Sequence, residues 1–290
     1  MRRIAVVGLP YFGTRVASTL IGAGYDARFV PAAREAARNP RGLVHLVRAD
    51  LVYAIGSSID RRAPLARLAR WKQVLMHWVG SDVVQGLATE REGRVSGRLR
   101  TAAHWADASW LIEEMAPLGL AVEEHPLPMP IAFGEPKPMP GEARVLVFLP
   151  RQPHAAYDVA GTIEVIDRLP EVPFVLVGGF SLNRPNVENL GFVSEMSPVY
   201  QRCSAFMRLV HHDGLSHSVV EALSFGRAVI WNYPLDGVTR VAGVDDAVGA
   251  IREHVSGPLV LNERGIEASH RYLPERVVAE ACEGIEALLR

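Results

Sequence analysis

Two carboxylates, Asp213 and Glu221, stand with seven residues between them in the stretch Val210-His-His-Asp-Gly-Leu-Ser-His-Ser-Val-Val-Glu-Ala-Leu-Ser-Phe-Gly-Arg-Ala-Val-Ile230. The apolar run Phe206, Met207, Leu209 and Val210 reads as a buried strand, and Asp213-Gly214 as the turn that ends it. A helix is expected from Ser216–Ser218 to Gly226, with Ala228, Val229 and Ile230 opening the next strand. A strand–turn–helix unit of this kind points backbone N–H groups outward at a helix N-terminus, where an anion such as a diphosphate can bind. The two carboxylates then flank an anion site. The plainer alternative is that Ser218-x-x-Glu221 is a capping box, which needs no ligand.

These residues resemble the signature of the family 4 retaining glycosyltransferases: an acid followed by Gly, seven residues to a Glu, then Glu-Ala-(apolar)-x-x-Gly-x-(Ala/Pro)-Val-Ile. The match runs over about twenty positions, with Asp213 where the family usually has Glu. The resemblance implies that Asp213 contacts the donor sugar and Glu221 the nucleotide ribose. It further implies that amides at Gly214, Leu215 and Ser216 hold the diphosphate. Arg151, in Leu149-Pro-Arg-Gln-Pro-His154, matches an Arg that neutralises the diphosphate. A Lys usual about five residues on is missing, and His154 or Arg184 are the candidates to replace it. Gly179, Phe192 and Val193 fall where relatives hold the nucleobase.

In the first half, Met76-His77-Trp78-Val79-Gly80-Ser81-Asp82 resembles a His-Gly-x-Asp segment of the family, which makes His77 a candidate near the reacting centre and Asp82 a second candidate. Gly8-Leu-Pro-Tyr-Phe-Gly13 resembles a glycine turn lining the cleft, which makes Gly13 a candidate; the plainer alternative is a tight turn that only packs the helix on the sheet. The same loop lacks what two other nucleotide motifs need. Pro10 stands where a dinucleotide fingerprint has its second Gly, and Gly13 is followed by Thr14-Arg15 rather than Lys-Ser/Thr.

The elements that must carry these groups alternate short β-rich runs with helical patterns, the mark of parallel α/β sheets. Strands are expected at Ile4–Val7, Asp26–Val30, Leu51–Ile55, Gln73–Trp78, Trp110–Ile112 and around Ala121–Val122. In the second half they are expected at Arg144–Leu149, Phe174–Val177, Met207–Val210 and Ala228–Trp231. Helices are expected at Thr14–Ala23, Asp158–Arg168, Pro198–Arg202, Ser218–Phe225 and Glu275–Leu289, and Asp245-Asp246 reads as a loop. Six prolines from Pro126 to Pro140 exclude a helix or central strand there. The expected organisation is therefore a first Rossmann-like domain over 1–130, a linker over 131–140, a donor domain over 141–274 and an amphipathic helix over 275–290. That is α/β, two Rossmann-like domains facing a cleft, which is the GT-B layout; in the family the last helix often crosses back to the first domain.

Composition sets the outer limits. With 290 residues, 49% of them apolar, the chain can fill two cores. No stretch approaches the roughly 20 apolar residues of a membrane span, and Met1-Arg2-Arg3 leads straight into a strand rather than a signal peptide. Two cysteines, Cys203 and Cys282, fit a reducing compartment and a cytoplasmic location. Residues 1–130 hold 17 Arg/Lys against 12 Asp/Glu, a net +5, while 131–290 hold 14 against 20, a net −6. The basic half reads as solvated helix faces or as an attraction to an anionic acceptor or the inner membrane face. No Asp-x-Asp triplet and no zinc spacing is present, so no metal is expected.

The expected activity is transfer of a sugar from a nucleotide-diphosphate donor, UDP- or GDP-linked, to a hydroxyl on a sugar, glycan or lipid acceptor. No permanently bound cofactor and no nucleic-acid partner are expected. The missing Lys and the Asp-for-Glu change motivate an alternative, a catalytically weak or inactive sugar-nucleotide-binding partner protein of the same fold.

Overall fold

Along the first strand Ile4 and Val6 point to one side and Ala5 and Val7 to the other, and all four are in apolar contact. A strand clothed on both faces belongs in the middle of a parallel sheet, and the computed structural model, which describes residues 1–31 and 40–290, places it there. Six strands, β1 (Arg3–Gly8), β2 (Asp26–Phe29), β3 (Leu51–Ile55), β4 (Gln73–Trp78), β5 (Ala103–Ala106) and β6 (Val122–Glu124), pair in parallel in the order β2-β1-β3-β4-β5-β6. A second sheet joins β7 (Val145–Phe148), β8 (Phe174–Val177), β9 (Val187–Gly191), β10 (Ala205–Arg208), β11 (Ala228–Trp231) and β12 (Val238–Arg240) in the order β12-β11-β10-β7-β8-β9. Counted from β7, that is the 3-2-1-4-5-6 order of dinucleotide-binding folds.

Among the described residues the helices are α1 (Pro10–Gly22), α2 (Pro40–Arg48), α3 (Pro64–Leu68), α4 (Ser81–Arg91), α5 (Gly97–Arg100), α6 (Ser109–Glu114), α7 (Val159–Asp167), α8 (Ser197–Arg202), α9 (His217–Ser224), α10 (Val244–Ser256), α11 (Glu263–Ser269) and α12 (Pro274–Leu288). The described residues form two compact units, Met1–Pro130 with Pro274–Arg290, and Ile131–Leu273. Ala281 and Ile285 of α12 complete the core that β1, β3 and α1 build in the first unit. Among the described residues, no helix is long and apolar enough to cross a membrane.

The proline-rich residues 131–140 have no regular structure and pack on the second unit. Gly134 N–H donates to Ser224 Oγ, and the buried Arg227 guanidinium reaches the Lys137 carbonyl at 3.1 Å.

Several elements depart from the sequence reading. The first helix begins at Pro10, not Thr14, because proline's fixed φ suits the first helical position, where no N–H is needed. Trp110–Ile112 lies in α6, whereas β5 is the Ala-His-Trp-Ala run of 103–106. A short apolar run does not tell helix from strand by periodicity. Asp245 and Asp246 form the first turn of α10 rather than a loop, where carboxylates complement the helix dipole.

Candidate functional site

In the second sheet the chain steps from β7 to β8 and β9 on one side, then returns to β10 on the other. Strand order therefore reverses between β7 and β10, and the crevice outside their carboxyl ends is where open α/β sheets bind ligands. The loops that follow these two strands are stitched together there. His211 N–H donates to the Ala156 carbonyl at 2.7 Å, Asp158 N–H to Leu209 at 3.2 Å, and Tyr157 bridges Val210.

Between these loops sits a buried ion pair. Arg208, the last residue of β10, donates from Nε to Asp213 Oδ2 at 2.6 Å, with side chains 9% and 16% exposed. The Arg208 guanidinium also lies over the Tyr157 ring, 5.0 Å from its centroid. Burial by itself would lower the arginine pKa; the charge and hydrogen bond of Asp213 outweigh it and hold the group well above its usual range. The Asp213 amide donates to Tyr233 Oη at 3.1 Å, which fixes the turn from the far side.

Beyond the turn, Gly214, Leu215 and Ser216 are buried, and α9 starts at His217 with Ser216 as its N-cap. Ser216 makes no capping bond and instead shares a hydroxyl contact with Ser218 at 3.0 Å. Glu221 does not reach back to the helix start, so the capping box is not formed. Its Oε2 accepts from Tyr200 Oη at 2.8 Å and its Oε1 from the Ala132 amide at 3.0 Å. Burial raises the Glu221 pKa, and these two donors pull part of that shift back. Each oxygen has further acceptor capacity.

The other strand ends of the same edge meet in a similar way. Gly178 and Gly179 have φ of +99° and +93°, values L side chains rarely adopt, and a Cβ on Gly178 would lie 2.4 Å from the Leu149 carbonyl. This tight passage brings Gly179 against Arg151, whose side chain is exposed. Gly178 N–H donates to the Gly191 carbonyl at 2.9 Å, so Phe192 (85% exposed) and Val193 follow beside Gly179. The structure thus places Arg151, Gly179, Phe192, Val193, Asp213, Gly214, Leu215 and Ser216 at one edge of one sheet, with Glu221 on the helix that leaves it.

Three expectations need correction. Gly13 lies inside the first turn of α1, buried, and a Cβ there would sit 2.4 Å from the Phe29 ring; the glycine packs helix on strand rather than lining a turn. His77 is 1% exposed, with both ring nitrogens engaged: Nε2 donates to the His125 carbonyl at 2.8 Å and Nδ1 accepts from Tyr53 Oη at 2.6 Å. Burial lowers its pKa to about 3, so it is a neutral core residue stacked on Tyr53. Arg184 precedes β9 at the amino end of the sheet and is paired with Asp167, so it does not replace the missing Lys. His154 is at the carboxyl edge, its ring against Tyr157 at 4.9 Å. Asp82 is buried in the first turn of α4, takes the Val79 amide at 3.1 Å, and has its pKa raised by burial to about 6.

Arg208, Tyr157 and Tyr200 escaped the sequence reading. One signal was available, since a lone arginine inside Phe206-Met-Arg-Leu-Val210 must find a partner if that strand is buried, and Asp213 is five residues on.

No model of a known protein family matches this chain, and no curated protein does. Solved structures do. Sucrose-phosphate synthase from Thermosynechococcus elongatus superposes with a TM-score of 0.68 at 12% identity, over 99% of each chain. Anabaena HepE, in complex with UDP and glucose, gives 0.67 at 11% over 99% of this chain and 100% of that one. The pneumococcal O-GlcNAc transferase GtfA, in complex with UDP and GlcNAc, gives 0.62 at 9%; the alignment covers 83% of this chain but 57% of GtfA, so this chain spans little more than half of that protein. Identities this low carry the architecture alone. Two Rossmann-like domains, each built on a six-stranded parallel sheet, give this chain the GT-B fold.

Proposed function

We propose that this chain is a retaining glycosyltransferase that moves a sugar from a nucleotide-diphosphate donor to a hydroxyl acceptor. The observation that carries the reading is the buried Arg208–Asp213 pair at the β7/β10 switch point, with the Glu221 carboxylate on the helix that starts four residues after Asp213. A carboxylate anchored by a buried guanidinium is held in place for hydrogen bonding to sugar hydroxyls. A carboxylate one turn into a helix, steadied by a tyrosine and an amide, is suited to accept from the two ribose hydroxyls.

In this reading the diphosphate lies at the N-terminus of α9, against backbone amides of Gly214–Ser216 and the helix dipole. Arg151 faces it from the neighbouring loop. Arg208 adds a cation to the same crevice, where the sequence lacks the expected Lys. Gly179, Phe192 and Val193 border the base. The bond between the anomeric carbon and the diphosphate oxygen breaks, a bond to the acceptor oxygen forms on the same face, and the acceptor proton leaves with the diphosphate. Preorganised amides and cations stabilise the charge that develops on the leaving group.

The test is thermal stabilisation by UDP, GDP and their sugars, since a ligand that binds only the folded state raises Tm by mass action. Asp213→Asn is the informative site variant, because Asp213→Ala would leave Arg208 without its carboxylate and open a gap beside it. One nucleotide class should stabilise the wild type, and Glu221→Gln should weaken that shift. Turnover that leaves the anomeric configuration unchanged, seen by NMR of the product, would complete the assignment. Stabilisation without turnover over a panel of acceptors would instead make the chain a sugar-nucleotide-binding partner. If no nucleotide stabilises it, the reading fails.

A further inference from the structure

Each carboxylate oxygen of Glu221 is steadied by a different donor, and both donors lead to one stretch of chain within the second unit. Oε1 takes the Ala132 amide at 3.0 Å and Oε2 the Tyr200 hydroxyl at 2.8 Å. Ala132 belongs to the proline-rich run 131–140, which has no regular structure of its own. Tyr200 meets that run through its ring. It stacks on Phe225, with centroids 5.2 Å apart and planes at 21°, and Gly134 lies against Phe225. A Cβ at Gly134 would stand 2.2 Å from the Phe225 ring, so the approach of backbone to ring leaves no room for a methyl. Phe225 is itself fully buried, in packing too dense for its ring to withdraw freely.

The run is fastened to α9 at successive points. Glu221 and Ser224, three residues apart, share a face of the helix, and Arg227 follows just past the Gly226 turn. Ser224 Oγ accepts the Gly134 amide at 3.2 Å and donates to the Glu221 carbonyl at 2.7 Å. The buried Arg227 guanidinium donates to the carbonyls of Lys137 at 3.1 Å and Pro138 at 3.5 Å. A guanidinium taken out of water needs acceptors, and the run supplies them, so segment and cation hold each other. Pro136, Pro138 and Pro140 have fixed φ and no N–H, which stiffens the run without demanding further partners.

We infer that residues 132–138 are a positioning strap for Glu221, with Gly134 and Ser224 as positioning residues that act on a bound nucleotide through that carboxylate. The inference rests on the function proposed above, in which Glu221 accepts from the ribose hydroxyls. With one donor already on each oxygen, further acceptor capacity remains on each for the ligand. The strap fixes the direction in which that capacity points. A carboxylate held before the ligand arrives loses less freedom on binding.

The test measures binding of UDP, 2′-deoxy-UDP, GDP and 2′-deoxy-GDP by calorimetry to the wild-type chain and to Gly134→Ala, Ser224→Ala and Glu221→Gln. The wild type should prefer the ribo form of the class it binds by about tenfold, the size of one hydrogen bond to a charged acceptor. Gly134→Ala, whose methyl must lift the strap or push Phe225 toward Tyr200, should reduce that preference to about threefold. Ser224→Ala should reduce it less, and carries the same comparison should the added methyl cost Gly134→Ala its fold. In the Glu221→Gln chain, Gly134→Ala should change the preference no further, because the two substitutions act on one group.

A loss equal for ribo and deoxy forms, or one that persists undiminished in Glu221→Gln, would overturn the strap as a positioning element. Unchanged preference in both Gly134→Ala and Ser224→Ala would overturn it too, and would leave the donor reading standing. Failure of the wild type to bind either nucleotide would remove the donor reading itself, and the role of the strap with it.

Discussion

At the switch point of the second sheet a guanidinium and a carboxylate are buried against each other at 2.6 Å, whereas at that of the first sheet Val7, Gly8 and Ser57 open onto an apolar cavity. Both places are made the same way, from a parallel sheet whose strand order reverses. The difference lies in what clothes the carboxyl ends. In the second unit the loops after β7 and β10 are zipped by backbone bonds, so a charge beneath them is fixed and desolvated. In the first unit, among the described residues, α2 and α3 flank a cavity lined mainly by Val7, Leu43, Leu46, Val47, Leu65 and Leu68. A common topology thus frames one rigid polar crevice and one apolar crevice.

The largest effect should come from breaking the polar crevice. Arg208→Met leaves the Asp213 carboxylate buried without its cation, and removing one partner of a buried pair costs about 3–5 kcal/mol. Urea denaturation should register the loss, and Arg208→Met combined with Asp213→Asn should recover part of it. A loss below about 1 kcal/mol would mean the pair behaves like a surface ion pair. The contrast between the two switch points would then collapse. In the first unit, Val47→Glu should leave stability almost unchanged, within about 0.5 kcal/mol, because the side chain is already 69% exposed.

Much of this layout was legible in the chain. Leu51–Ile55, Gln73–Trp78, Phe174–Val177 and Ala228–Trp231 were read with the limits the structure has, because each is an apolar run bounded by breakers or polar residues. The Asp213-Gly214 turn and the helix carrying Glu221 were legible for the same local reason. What spacing does not encode is which distant group a side chain meets. Glu221 is steadied by the amide of Ala132, 89 residues away, and His77 is capped by the carbonyl of His125, 48 residues away. A histidine at a strand end looks identical in sequence whether its ring faces solvent or the core. The cavity between α2 and α3 depends on how two helices pack and was invisible for that reason.

A second prediction concerns the buried titratable groups of the first unit, which oppose each other. His77 has its pKa lowered to about 3, so in the acid range the unfolded chain takes up a proton that the folded one refuses. Its contribution is complete above the unfolded value near 6.5 and is lost as pH falls toward 3. Asp82 is raised to about 6, so the folded chain holds a proton that the unfolded one has released. Its contribution runs the other way, favouring the fold below the unfolded value near 3.9 and fading as pH rises through 6. Between about pH 4 and 6 the two slopes, each about 1.4 kcal/mol per pH unit, should cancel. Asp82→Asn should therefore steepen the acid loss of stability by one proton, and His77→Gln should flatten it. Denaturant midpoints at half-unit pH steps would show both. Equal slopes in all three proteins would place these groups in water rather than in the core.

The smallest effect sharpens the comparison most, because each unit has a tyrosine hydroxyl on a buried titratable group. Tyr53 Oη meets His77 Nδ1 at 2.6 Å, and Tyr200 Oη donates to Glu221 Oε2 at 2.8 Å. Replacing either by Phe keeps its ring packing, including the stack of Tyr200 on Phe225, and removes one hydrogen bond worth about 1 kcal/mol. Stability should fall by similar amounts in both. Only Tyr200→Phe should touch nucleotide binding. It withdraws one of the two donors that counter burial at Glu221, so the carboxylate is less well held against the upward pull of burial. Ribose hydroxyls then meet a less well-positioned acceptor, and affinity for the nucleotide should fall about three- to fivefold. A purely structural Tyr200 would lower Tm with no change in affinity. Tyr53→Phe is the internal control, since its partner His77 is a neutral core residue of the first unit.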